Sequence, residues 1–142
     1  MILPDVNLLV YAFRTDSVDH NSYRNWLLLE TASDRTFGIS PQVLSAMVRI
    51  TTNQRIYAQP SPLNEALAFS EALITAPNAV VVTPGPGHWR IFRSLCEVVK
   101  ATGNLVQDAW LAALAIESGC EWFTDDRDYA RFPGLKVRHP LR

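Results

Sequence analysis

The chain has 142 residues, 48% hydrophobic and 19% charged, with 13 Lys+Arg against 14 Asp+Glu and a formal net charge of −1. That is the profile of one compact domain, 1–142, which can bury a core without staples, and it excludes a disordered tail, a fibre and a disulfide scaffold. Cys96 and Cys120 have no second Cys or His at metal-binding spacing and read as buried thiols of a reducing cytosol.

The opening MILPDVNLLVYAFR has no basic stretch ahead of its apolar run, which Pro4 and Asp5 interrupt. It therefore reads as neither a secretion signal nor a membrane anchor, and a cytoplasmic protein is expected. A strand at 2–3 leads to a helix over 7–13, and helical spacing returns at 19–29. A strand at 37–39 precedes Ser40-Pro41, a capping side chain followed by proline at the first helical position, which starts a helix over 41–52. Ser61-Pro62 repeats the pair ahead of a helix over 63–75, whose apolar stripe Leu63, Leu67, Phe69, Leu73 and Ile74 reads most simply as core. A strand at 80–82 and helices over 88–100 and 106–118 follow. Gly119 ends the last of these, and strands at 122–123 and 135–137 close the pattern, with a short helix at 128–131 between them.

Strands alternating with helices imply an α/β fold, a mainly parallel sheet with helices on both faces, whose ligands bind beyond the carboxyl ends of the strands. Asp5 directly follows the first strand, and Asp125, Asp126 and Asp128 follow the strand at 122–123. Asp108 falls in the first turn of the helix over 106–118, where a helix-dipole role is its plainest reading. Taken singly, each acid has an ordinary reading as a turn or cap residue. Together they would repel one another in one crevice unless a cation such as Mg²⁺ or Mn²⁺ neutralised them, which suits phosphodiester hydrolysis. Neither a GxSxG elbow nor a GxxxxGK[ST] loop competes.

Those residues sit in three stretches, ILPDVNLLVYA, SPQVLSAMVRITTN and NLVQDAWLAALAIESGCEWFTDDRDYARFPGL, whose order and spacing resemble the PIN-domain ribonucleases of the VapC toxin family. The resemblance spans essentially the whole chain and implies a PIN-like fold. It also implies a metal-dependent endoribonuclease of a toxin–antitoxin pair, acting on transfer or ribosomal RNA, homodimeric, and neutralised by a cognate antitoxin. By it Asp5, Asp108 and Asp126 are the catalytic, metal-binding acids, with Asn7, Thr124 and Asp128 in support. One position departs from the family pattern: Ala46 stands where a glutamate is usual, which removes one carboxylate and weighs against a second metal. Glu71, Glu97 and Glu117 lie on other predicted helices and are not assigned to that place.

Two other readings of the same residues remain. One is a phosphoryl-transferring enzyme with Asp5 as nucleophile, although Asn7 occupies the position where such enzymes carry a second aspartate. The other is a catalytically weakened scaffold that binds RNA or antitoxin without cutting. Arg14, Arg49, Arg55, Arg127 and Arg131 are candidates for phosphate contacts. The four tryptophans read as core or dimer surface, and the scattered His20, His88 and His139 as capping or surface residues.

Overall fold

Five three-residue strands and six helices alternate along the chain in the computed structural model, which describes residues 1–142. The strands are β1 (Ile2–Pro4), β2 (Phe37–Ile39), β3 (Ala79–Val81), β4 (Glu121–Phe123) and β5 (Lys136–Arg138). The helices are α1 (Val6–Phe13), α2 (His20–Thr31), α3 (Pro41–Thr51), α4 (Leu63–Ile74), α5 (His88–Val99) and α6 (Asn104–Ser118), and a 3-10 helix covers Arg127–Arg131. Each element foreseen from the sequence is present, with bounds displaced by no more than two residues.

Local chemistry explains the starts and stops. Ser40 accepts a hydrogen bond from the Val43 N–H and Pro41 opens α3, as the sequence suggests. The matching expectation for Ser61 is corrected: α4 is capped by Pro62 without a side-chain bond, because the Ser61 hydroxyl accepts instead from Arg14. Gly119 ends α6 at φ 69°. The same helix begins two residues earlier than its apolar spacing suggests, after Gly103 at φ 59°. Asp108 is therefore in the second turn, not the first, and the dipole reading of that acid falls away.

All strand pairings are parallel, in the order β3-β2-β1-β4-β5. The chain builds outward from β1 through β2 to β3, then crosses to β4 on the other side of β1. That reversal puts a topological switch point between the carboxyl ends of β1 and β4, which run in register from Ile2–Glu121 to Pro4–Phe123. The central strands are sealed, with Ile2, Leu3, Phe37, Ile39 and Trp122 buried against Leu8, Leu9 and the alanine-rich face of α6. Helix α1 packs on α2 and α3, α3 on α4, and α5 on α6.

The apolar stripe of α4 is only partly core. Leu73 is buried and Phe69 half-buried, but Leu63, Leu67 and Ile74 are exposed. Trp26 and Trp122 are core residues as foreseen, whereas Trp89 is 63% exposed. Both cysteines are free thiols, Cys120 buried and Cys96 half-buried. No helix is long and apolar enough to cross a membrane.

Candidate metal centre

The sheet's switch point carries the acids. Asp5 is the first residue past β1 and caps α1, its Oδ1 accepting the Val6 N–H at 2.7 Å. Its backbone N–H in turn donates to the Phe123 carbonyl of β4 at 2.8 Å, which fixes it to the neighbouring strand. Oδ2 of Asp5 accepts from the Thr124 hydroxyl at 2.7 Å. With Asp5 only 4% exposed, burial pushes its carboxyl up to about 6; the Thr124 and Val6 hydrogen bonds oppose the rise, and the charges of Asp108 and Asp125 add to it.

Thr124 joins two segments. Its Oγ1 donates to Asp5 and accepts from the Asp126 N–H at 3.0 Å, so one buried hydroxyl orients both strand ends. Asp126 then caps the 3-10 helix, its Oδ1 accepting the Asp128 N–H at 2.9 Å. That helix returns Tyr129 beneath the site, buried between Trp122 and Phe132, with its hydroxyl donating to Asp108 Oδ1 at 3.2 Å. Burial raises the Asp108 carboxyl, the Tyr129 bond lowers it, and Asp126 and Asp128 raise it again. The Tyr129 phenol is itself driven upward by burial and by the charges of Asp5 and Asp108, so it stays a neutral donor.

Asp5, Asp108 and Asp126 line one cleft of about 250 Å³ together with Asn7, Gln42, Ala46, Arg49, Gln107 and Tyr129. Asp128 is not among the lining residues; it faces solvent and pairs with Arg131 at 3.4 Å. No three His, Cys, Asp or Glu side chains approach closely enough to enclose one ion. The donor set nonetheless fits a hard cation, since Mg²⁺ is commonly held by one or two carboxylates with water completing its shell. Burial first, and neighbouring acids after it, raise the carboxyls of Asp5 and Asp108.

Other expected participants lie elsewhere. Arg14 is committed, gripping Asp16 through Nε and Nη2, donating through Nη1 to Gln59 O and Ser61 Oγ, and lying 3.6 Å from the Tyr57 ring centroid. The larger hollow around it, about 570 Å³, thus surrounds a satisfied ion pair. Of the five candidate arginines only Arg49 lines the acid cleft. His88 is buried rather than at the surface, its Nε2 paired with the Trp110 carbonyl at 3.0 Å, and it does not line the cleft. Glu117 accepts from the Gly85 and Gly87 N–H groups, Glu97 pairs with Arg93, and neither they nor Glu71 reach the space beside Ala46. Sequence reasoning did not assign Tyr129, Gln42 and Gln107 to the site. Tyr129 lies three residues after Asp126, and Gln42 is one turn before Ala46, spacings that hint at both.

A PIN domain model matches residues 2–135. The chain is 41% identical over 141 residues to ribonuclease VapC43 of Mycobacterium tuberculosis, covering 99% of this chain and 96% of that protein. It is 39% identical over 142 residues to ribonuclease VapC25 of the same organism, covering 99% and 100%. Among solved structures, VapBC2 from Rickettsia felis bound to a promoter DNA fragment superposes with a TM-score of 0.70 at 19% identity, covering 98% of each chain. VapBC-1 from nontypeable Haemophilus influenzae does so with a TM-score of 0.69 at 16% identity over the full length of both chains.

Proposed function

The chain belongs to the PIN-domain family, among the VapC ribonucleases, and from that premise we propose that it is a toxin: an endoribonuclease that hydrolyses RNA phosphodiester bonds with Mg²⁺ or Mn²⁺ and is silenced by a cognate antitoxin. The observation that carries this reading is the meeting of Asp5, Asp108 and Asp126 in one cleft at the switch point of the sheet. Transfer and ribosomal RNA are the substrate classes to test first.

In this mechanism Asp5, Asp108 and Asp126 would hold the cation, with water between it and whichever of the three stands too far off to bind directly. A divalent cation, when bound, supplies polarisation of the phosphoryl group and a nucleophilic water at neutral pH. The chain's own contribution is to hold acceptor oxygens still. Thr124 and the Val6 N–H orient the Asp5 carboxylate, Tyr129 orients that of Asp108, and the Asp128 N–H that of Asp126. Asn7, on the first turn of α1, lends an amide to the wall beside Asp5, while Asp128 adds negative charge from outside the cleft. The exposed Leu63, Leu67 and Ile74 of α4 support a homodimer, since apolar surface of this kind on one helix seeks cover.

A second reading, a protein that binds RNA or antitoxin without cutting, is favoured by Ala46 and by the spacing of the acids, no three of which can enclose one ion. Incubation of purified protein with a small-RNA pool and Mn²⁺ or Mg²⁺, beside EDTA and Asp5→Asn controls, separates the two. Discrete fragments requiring both the cation and Asp5 are expected; intact RNA across all classes, with folded protein, would favour the binding scaffold.

A further inference from the structure

One helix contributes a part of the cleft lining that carries no acid. Gln42, Ala46, Arg49 and Ile50 of α3 follow the i, i+4, i+7, i+8 spacing of a single helical face, and all four line the cavity into which Asp5, Asp108 and Asp126 open. The cleft is therefore two-sided in charge: carboxylates arrive from the ends of β1 and β4 and from α6, and α3 brings an amide, a methyl group and a guanidinium.

Arg49 is the one cationic side chain in that lining. It is exposed, and its guanidinium enters none of the chain's ion pairs, unlike Arg14, Arg35, Arg93, Arg131 and Arg138. Though it shares a cavity with three acids, its guanidinium nitrogens stand more than 4.0 Å from every carboxylate oxygen. Between it and Gln42 the helix offers the cleft only Val43 and Ala46, apolar side chains that cannot accept a bond from the guanidinium. A planar fork of donors left unpaired at the rim of an acid-lined cleft matches the geometry of a phosphate, whose paired non-bridging oxygens it can take together.

We infer that Arg49 is a substrate-binding residue, its guanidinium holding the non-bridging oxygens of an RNA phosphate from the α3 side of the cleft. This rests on the ribonuclease reading above. The backbone of the substrate is drawn between a wall that repels it and a wall that attracts it, so Arg49 offsets repulsion that the acids would otherwise impose on an incoming phosphate.

The test is binding of a fluorescently labelled single-stranded RNA in EDTA, where cleavage is absent, across a range of salt concentrations. Each phosphate contact contributes about 0.7 to the slope of log K against log salt for single strands. Arg49→Ala is expected to reduce that slope by about this amount and to weaken binding several-fold at low salt, while Arg49→Lys keeps most of the slope. Arg90→Ala, which removes the same charge from the exposed face of α5 outside the cleft, is expected to leave it unchanged. An Arg49→Ala protein with the parent's slope and affinity, or an equal loss from Arg90→Ala, would overturn the assignment while leaving metal-dependent cleavage by the parent untouched. A parent that neither binds nor cleaves any RNA would remove the ribonuclease reading and Arg49's role with it.

Discussion

The hydroxyl of Thr124 donates a 2.7 Å hydrogen bond to Oδ2 of Asp5, 119 positions away in the chain, and so locks the end of β4 to the end of β1 inside the protein. The bond favours the ionised carboxylate, because a buried charge with a donor is less costly than one without.

Replacing Thr124 with valine keeps the shape and removes the donor. The Asp5 carboxyl is expected to titrate higher than about 6, since the lost bond is one that lowers it. The Asp126 N–H also loses its acceptor, and together the two changes should cost about 1–3 kcal/mol of stability. NMR titration of the Asp5 carboxyl in metal-free protein, paired with urea unfolding, checks both; an unmoved Asp5 would contradict the account.

Asp5→Asn is expected to abolish cleavage and, without metal, to stabilise the fold. A carboxyl raised from 3.8 to about 6 in the folded state holds its proton more tightly there than in the unfolded chain. Parent stability therefore falls as pH rises from about 4 to 6, then levels off with a penalty of about 3 kcal/mol. The amide escapes that penalty, so its advantage should be full above pH 7 and vanish near pH 4. Adding Mn²⁺ should raise the melting temperature of the parent more than that of the variant. Melting curves across this range, with EDTA or Mn²⁺, measure it; a variant less stable than the metal-free parent at pH 7.5 would count against the burial argument.

Leu67 is 48% exposed on α4, one turn from the exposed Leu63. Leu67→Asp should turn a dimeric parent into a monomer without altering its circular dichroism, as burying an unpaired carboxylate at an apolar interface is costly. Light scattering after gel filtration decides this, and a parent that is monomeric at every concentration would end the dimer proposal.

Much of the framework is legible in the sequence because its signals are local. Ser40-Pro41 announces α3 through the chemistry of one turn, and Gly119 ends α6 by its backbone freedom. Errors arise where a distant partner decides. Ser61 looks like a cap, but Arg14, 47 positions away, takes its hydroxyl. Leu63 and Leu67 have the spacing of core residues, yet spacing reports which side of a helix is apolar and not what covers it. Asp5 and Asp126 could be assigned to one crevice from strand ends, and Asp108, on a helix, only through the family resemblance, whereas Tyr129 beneath Asp108 depends on how tightly the 3-10 helix turns back.

The register of β1 with β4 also sets when the site can exist. Asp5 leaves the ribosome 119 residues ahead of its hydroxyl donor Thr124, and its strand partner begins at Glu121, so the cleft cannot close until that far segment has been synthesised. Pairing between segments so far apart in the sequence is also slow to form, because chain entropy must be lost before the contact rewards it. Any product of premature termination upstream of residue 121 lacks both β4 and Asp126, and so a partly made chain carries no assembled acid cleft.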